Sequence, residues 1–358
     1  MLFDIRPKMS KKDFYNFEKE MEEIIRNLDK PMIVVSGLRR TGKTSLVLTS
    51  LRESNSKFLL IDLREGFRSY RELYLLLSKS VNDFILSISY LEKIKELFLK
   101  FLKSLRGVSI ADYSVSFSWG KDRFLLTEFF ERLNEFSERI GERIIVVFDE
   151  FQKSIGNLGL VLQDAISYSY DYHRNISFIL TGSEMGILYG ILKNPKNPLF
   201  GRAFININTR KLNKEESIDF LEKGFNELNI KVSKEEIESI VNELDGIIGW
   251  LTYYGYQRML GKENFEEIKK DAVALAKQEL ENFIKLMVSK RYKIVLKLLA
   301  EEVREWSLLK RNVEKYEGKE ISNRVLYEIL QQLKRHSIID EENNFTDPIY
   351  KEAVKLLS

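Results

Sequence analysis

The apolar positions of this chain have two textures that meet near residue 210. Before that point, short uninterrupted apolar runs alternate with stretches of three-to-four periodicity. After it, only the periodic stretches continue. The runs are Met32-Ile33-Val34-Val35, Phe58-Leu59-Leu60-Ile61, Ile144-Ile145-Val146-Val147-Phe148, Ile176-Ser177-Phe178-Ile179-Leu180 and Ala203-Phe204-Ile205-Asn206-Ile207. Runs of this kind read as strands buried on both faces, the habit of a parallel sheet covered by helices. Helical patterns at about 69–88, 91–104, 122–140 and 158–172 separate them. An amphipathic helix over 12–29, with Phe14, Phe17, Met21, Ile24 and Leu28 on one face, precedes the first run and stops at Pro31. Val108, Ile110, Tyr113, Val115, Phe117 and Trp119 alternate, which predicts a small hairpin ahead of the third run.

Beyond Thr209, Ile218, Leu221, Phe225 and Leu228 form one helical stripe, and Ile237, Ile240, Val241 and Leu244 another. Gly246-Ile247-Ile248-Gly249 breaks the pattern before a helix from about Trp250, and a long helix covers 264–288. The last stretch reads as self-contained. It has one helix with Ile294, Leu298 and Leu299, a short one from Leu308 to Tyr316, a third with Val325, Leu326, Ile329, Leu330 and Leu333, and a polar-tipped hairpin from Ile338 to Phe345. Three helices and a hairpin are the pattern of a winged helix. The expected organisation is an α/β core over 1–210 with a helical and hairpin insertion at about 66–125, an all-helical unit over 211–285 and a winged helix over 286–358.

Composition narrows the chemistry. A chain of 358 residues, 44% hydrophobic and 31% charged, has enough apolar material for two or three domains. No apolar run approaches the length of a membrane span, and Met1 to Lys8 lack the apolar core of a signal peptide, so a cytoplasmic protein without membrane contact is expected. Cysteine is absent and His173 and His336 are the two histidines, which excludes disulfides, zinc–thiolate sites and cysteine nucleophiles and disfavours histidine-rich metal sites. A net charge of +3 demands no polyanionic partner.

Between the first run and a helix-compatible stretch lies Gly37-Leu38-Arg39-Arg40-Thr41-Gly42-Lys43-Thr44, an unbroken G-x-x-x-x-G-K-[ST] motif followed by Ser45. Glycines let backbone N–H groups face a phosphate, and the helix N-terminus adds its positive dipole end. Lys43 is expected to bridge the β- and γ-phosphates and Thr44 to ligate Mg²⁺. Arg39 and Arg40, inside the loop, either touch phosphate or a neighbouring acid or stay solvated. The run ending at Phe148 closes in Asp149-Glu150. Asp149 is the expected metal residue and Glu150 the general base that activates water, a pairing for which a small-molecule kinase has no use. Thr181 or Ser183, after the fourth run, would contact the γ-phosphate or the attacking water, or else cap the next helix. Arg202, before the last run, would stabilise phosphoryl charge within the chain or across an interface, or else serve as a surface ion-pair residue. Asp62 and Arg64 line the site or pair with each other.

At this point the chain resembles the archaeal P-loop ATPases of the AAA+/STAND group. The matching segments are Phe3 to Lys8, Ser36 to Ser45, Ile61-Asp62-Leu63-Arg64-Glu65, Val147 to Gln152, Leu180-Thr181-Gly182-Ser183, Gly201-Arg202 and Gly246 to Leu251. The resemblance implies a P-loop core with a five-stranded parallel sheet, an all-α lid and a C-terminal winged helix. It also implies ATP as the nucleotide, with ADP as product, and residues around Ile5 to Pro7 near the adenine. Ile248 stands where such proteins often carry proline at the start of the lid helix. The role expected is a slow nucleotide-gated switch with a protein partner on the winged helix. The alternative is a DNA-associated ATPase that uses Asn323, Arg324, Lys334 and Arg335. Residues 286–358 hold 14 Lys+Arg against 12 Asp+Glu, a near-balance that lacks the field of a duplex reader.

Overall fold

The computed structural model describes residues 1–111, 114–287 and 289–357. Helix α1 (Glu18–Arg26) leads into strand β1 (Met32–Ser36), and the glycine loop connects β1 to α2 (Lys43–Glu53). Then follow β2 (Lys57–Asp62), α3 (Tyr70–Ser87), α4 (Glu92–Lys103) and the hairpin of β3 (Val108–Ala111) and β4 (Ser114–Phe117). The core closes with α5 (Leu126–Ile140), β5 (Ile144–Asp149), α6 (Gly156–Tyr172), β6 (Ile176–Gly182), α7 (Met185–Lys193) and β7 (Ile205–Asn208). The five apolar runs form a parallel sheet in the order β2-β5-β6-β1-β7. Every residue of β1, β5 and β6 is buried. Alternate residues face opposite layers, as the strand period requires. Ile33, Val35, Ile145, Val147 and Ile179 enter one apolar cluster, whereas Met32, Val34, Ile144, Val146 and Phe178 enter the other, under α3 to α6.

The first cluster does not end with the sheet. It runs through lid helices α8 (Lys214–Leu228), α9 (Lys234–Leu244), α10 (Ile248–Met259) and α11 (Phe265–Leu286) into α12 (Arg291–Ala300), α13 (Trp306–Glu317), α14 (Asn323–Arg335) and α15 (Pro348–Lys355). Helix α11 packs along both α10 and α15 and so joins the lid to the winged-helix segment. Its hairpin shortens to one antiparallel bridge between Ile339 and Phe345, since the Asp340 carboxylate accepts the amides of Glu342 (2.9 Å) and Asn344 (2.8 Å) and bends the tip. Helix α15 escapes the periodicity analysis, although Asp347 caps it with Pro348 at its first turn. Helix α7 escapes it as well. The expected helix over 12–29 begins only at Glu18, because Asn16 and Phe17 sit at φ 60° and 64° and turn the chain. Tyr113 of the expected hairpin and position 288 of the expected long helix lie outside the described residues. Among the described residues no helix is long and apolar enough to cross a membrane.

The N-terminal segment crosses to the lid. Phe3 is fully buried and packs edge-on against Phe220 and Phe225, with ring centroids 5.6 and 5.1 Å apart. It fits because α8 and α10 offer bare backbone there: a Cβ on Gly224 or Gly255 would lie within 2.2 to 2.4 Å of its ring. Phe3→Ala should cost about 3 to 5 kcal/mol through the cavity it leaves. Gly255→Ala should cost about 1 to 3 kcal/mol through overpacking. Both should lower the denaturant midpoint, and a midpoint unchanged in both variants would mean that the segment does not hold the lid.

Candidate active site

The loop at the carboxyl end of β1 is built on its own hydrogen bonds. The carbonyl of Leu38 accepts from Thr41 Oγ1 at 2.7 Å and from Lys43 Nζ at 2.7 Å. Thr41 is buried and pairs with Thr209 Oγ1 at 2.7 Å, which pins the loop to the end of β7. Gly42 sits at φ 86° and opens α2. Arg40 holds φ 62°, uncommon for a residue with a side chain, and its carbonyl accepts the Gly249 amide at 2.8 Å. No side chain fits at 249, where a Cβ would stand 2.5 Å from Arg40 Cβ.

These elements enclose a cavity of about 690 Å³, lined by Arg39, Arg40 and Gly42 to Ser45 of the loop and by Asp149, Glu150 and Ser183. The size suits a nucleotide. Ile5 to Lys8, Phe14, Tyr15, Ile248 and Tyr253 also line it, and the Lys8 amide donates to Ser45 Oγ at 3.0 Å. Gly37, Leu38 and Thr41 stand behind the wall as its framework.

Asp149 ends β5 beside Thr44, whose hydroxyl donates to both carboxylate oxygens at 3.1 and 3.0 Å. Thr181 donates to Asp149 Oδ1 at 2.5 Å and accepts the Glu150 amide at 3.1 Å. Thr181 thus orients the two acids from β6 and is itself fully buried. Of the two acids, Ser183 bonds Glu150, and it also accepts from Gln152 Nε2 at 3.3 Å. Its hydroxyl donates to Glu150 Oε2 at 2.7 Å, and Gln152 Nε2 donates to the same oxygen. Glu150 is at φ 57°, a second left-handed residue at the site.

Burial raises the Asp149 carboxyl above its ordinary range, because only hydroxyls bond it and no cation among the described residues lies within ion-pair distance. A buried carboxylate beside a threonine hydroxyl fits one hard divalent cation that takes its other ligands from phosphate and water. Burial likewise pulls Lys43 down to about 8, against which Glu150 and Asp149 work.

Within one chain, one of the expected residues stands apart from the cavity. Arg202 is not brought to the cavity. It precedes β7, whose Ile205 pairs with Ile33 near the start of β1, so it lies at the amino end of the sheet, opposite the loop. There it pairs with Asp171 at 2.6 Å and donates to the Pro198 carbonyl at 2.7 Å. Asp62 and Arg64 pair with each other at 2.5 Å, and Arg64 also lines the cavity.

Residues far apart in the chain complete the site. Arg40 meets Glu279 of α11 at 2.6 Å and lies 4.0 Å over the Trp250 ring. Tyr350 of α15 donates to Glu279 at 2.5 Å, and Trp250 Nε1 donates to Asp347 at 2.8 Å. Glu184 is buried and is met by Arg39 at 2.9 Å, Lys153 at 2.8 Å and His336 at 3.0 Å. Burial alone would raise its carboxyl; the hydrogen bond from His336 and the Lys153 ammonium prevail and hold it at about 2.

A glycine loop on a strand-to-helix turn, an acid pair on a neighbouring strand, a helical lid and a winged helix together define a P-loop ATPase of AAA+-like architecture. Residues 14–254 match the model of an ATPase domain predominantly from Archaea, and residues 286–353 that of the C-terminal winged helix-turn-helix domain of MCM proteins. The chain belongs to that archaeal ATPase family. A Walker-type ATPase of Pyrococcus abyssi is 31% identical, with a TM-score of 0.81, over 99% of this chain and 100% of that one. More distant in fold are the Aeropyrum pernix ORC1 protein in complex with DNA (13% identity, TM-score 0.46, 98% and 94% covered) and the RuvB Holliday junction branch migration motor of Thermotoga maritima (13%, 0.45, 98% and 98%). No protein of curated function matches the chain.

A triphosphate held against Lys43 would restore its charge. Above pH 8 nucleotide binding should therefore take up a proton, and affinity should fall as pH rises further. Calorimetry at about pH 9 in buffers of different ionisation enthalpy measures this. Zero uptake there would separate Lys43 from the phosphates.

Proposed function

We propose that the protein is a nucleotide-gated switch that hydrolyses ATP to ADP and phosphate, with its lid and winged helix as the moving parts. Lys43 and the loop amides hold the phosphates, Thr44 and Asp149 hold Mg²⁺, and Glu150 takes the proton of the attacking water. Mg²⁺, when bound there, would supply positive charge to offset that of the phosphates. Thr181 fixes the position of Asp149, and Ser183 and Gln152 fix that of Glu150. The observation that carries the switch reading is the linkage of Arg40, inside the loop, to Glu279 of the lid and through it to Tyr350 of the winged helix. A ligand that draws Arg40 or Arg39 toward phosphate changes the contacts of both, which is the differential interaction a switch requires. The expected boundaries near 210 and 285 then separate the part that holds nucleotide from the parts that respond.

The alternative of a duplex-reading winged helix draws little support from charge. Arg324 pairs with Glu328 on its own helix and Lys334 with Glu341, and the end of α14 rests on α7, where Met185 N donates to Ser337 Oγ at 3.0 Å. A protein partner on the winged helix fits better.

Glu150→Gln should keep ATP affinity and slow hydrolysis by about a hundredfold or more. With that variant, hydrogen exchange in α15 should differ between ATP and ADP. Equal exchange with both nucleotides would refute the switch, and wild-type turnover would remove Glu150 as the base. A partner recovered on the ATP-loaded variant and lost with ADP would identify what the switch controls.

A further inference from the structure

Phosphoryl release gathers charge on the γ-phosphoryl oxygens, and enzymes of this chemistry meet it with a guanidinium. Arg202 lies at the opposite end of the sheet and is bound to Asp171. Of the arginines that line the cavity, Arg6 pairs with Asp4 and is largely exposed, and Arg64 pairs with Asp62. Arg40 is stacked on Trp250 and paired with Glu279. Arg39 remains. It is the third residue of the glycine loop and shares the cavity wall with Lys43, Asp149, Glu150 and Ser183. Its Nη2 donates to Glu184 at 2.9 Å and its Nη1 to Glu279 at 3.5 Å. Glu184 directly follows Ser183, which holds Glu150, so one dipeptide positions both the carboxylate and the guanidinium.

We infer that Arg39 is a catalytic residue acting within its own chain, with its guanidinium on the γ-phosphoryl oxygens in the transition state and Glu184 as its positioning residue. This rests on the hydrolysis reading above. The water oxygen bonds to the γ-phosphorus while the bond from that phosphorus to the β–γ bridging oxygen breaks, its electron pair leaving on ADP. The water proton passes to Glu150, and Arg39 keeps its own proton throughout. The winged helix reaches the same Glu184 through His336, so its placement bears on how Arg39 is held.

The test uses the full chain with Arg39→Ala, Arg39→Gln and Arg39→Lys, each checked for a wild-type denaturation midpoint. Single-turnover hydrolysis should fall about a thousandfold in the first two, while MgADP affinity stays within about threefold. These variants should also fail to trap ADP with aluminium fluoride. Arg39→Lys should recover little, because an ammonium lacks the guanidinium fork. In mixtures with wild type, the rate should scale linearly with the wild-type fraction. Glu184→Gln should lower kcat with KM nearly unchanged, and Glu184→Asp should restore part of it. Turnover within about threefold of wild type in Arg39→Gln would overturn the proposal. So would a loss of ADP affinity as large as the loss of rate, which marks a ground-state contact, or a rate that falls faster than the wild-type fraction, which marks an arginine from a neighbour. Failure of the hydrolysis reading itself is separate: it appears as no phosphate released from MgATP by the wild-type chain, whatever Arg39 does.

Discussion

The pair of Arg40 and Glu279 joins the phosphate loop to everything that follows it in the chain. Arg40 is turned out of the loop by a left-handed backbone, and its carbonyl is tied to the first turn of α10 through Gly249. Its guanidinium then lies between Trp250 and Glu279. Burial raises the cost of the Glu279 charge, and the Arg40 hydrogen bond and charge, together with the Tyr350 hydroxyl and the Arg39 charge, more than offset it, so its carboxyl stays below its ordinary value. A part-buried charge that loses its partner is expensive, which ties the position of α11 to the conformation of the loop. Tyr350 and Asp347 extend the same linkage to α15. The continuous apolar cluster from the sheet to the winged helix gives the stability; this handful of polar contacts gives the coupling.

The cavity carries electrostatic cost of both signs. Burial pushes the Asp149 carboxyl up and the Lys43 ammonium down, each toward its neutral form. A purely anionic ligand would relieve Lys43 and worsen Asp149, and a lone cation would do the reverse. A metal–triphosphate complex would relieve both, were the metal held against Asp149 and Thr44 and the phosphates against Lys43 as proposed. The hydroxyls of Thr44, Thr181 and Ser183 suit this arrangement because they bond the acids without neutralising them.

What the sequence made legible is what local pattern encodes. Continuous apolar runs place the five strands, since burial on both faces leaves no room for polar alternation. The glycine loop and the Asp149-Glu150 pair carry their chemistry within a few residues. The illegible parts depend on contacts across the chain. Glu184, Glu279, Asp347 and Tyr350 are acids and a phenol on ordinary helical or turn positions, and nothing local distinguishes them from surface residues. Their partners lie from tens to hundreds of positions away: Arg39 and Glu279 are 240 residues apart. Asp347-Pro348 is the exception, a capping signal that marks a helix start. The turn at Asn16 and Phe17 interrupts a convincing amphipathic pattern because Asn16 Oδ1 accepts the Phe17 amide at 2.8 Å, a local bond that competes with the helix.

Arg202 illustrates how topology decides what pattern cannot. Residues that follow parallel strands gather at one end of the sheet, where Lys43, Asp149, Thr181 and Glu184 meet; residues that precede them gather at the other. Arg202 precedes β7, and Asp171 in the last turn of α6 belongs to the same amino end. Their pairing is a consequence of strand direction. Among the cavity-lining arginines, Arg39 and Arg40 come from the loop after β1 and Arg64 from the segment after β2, all at the carboxyl end that strand direction selects.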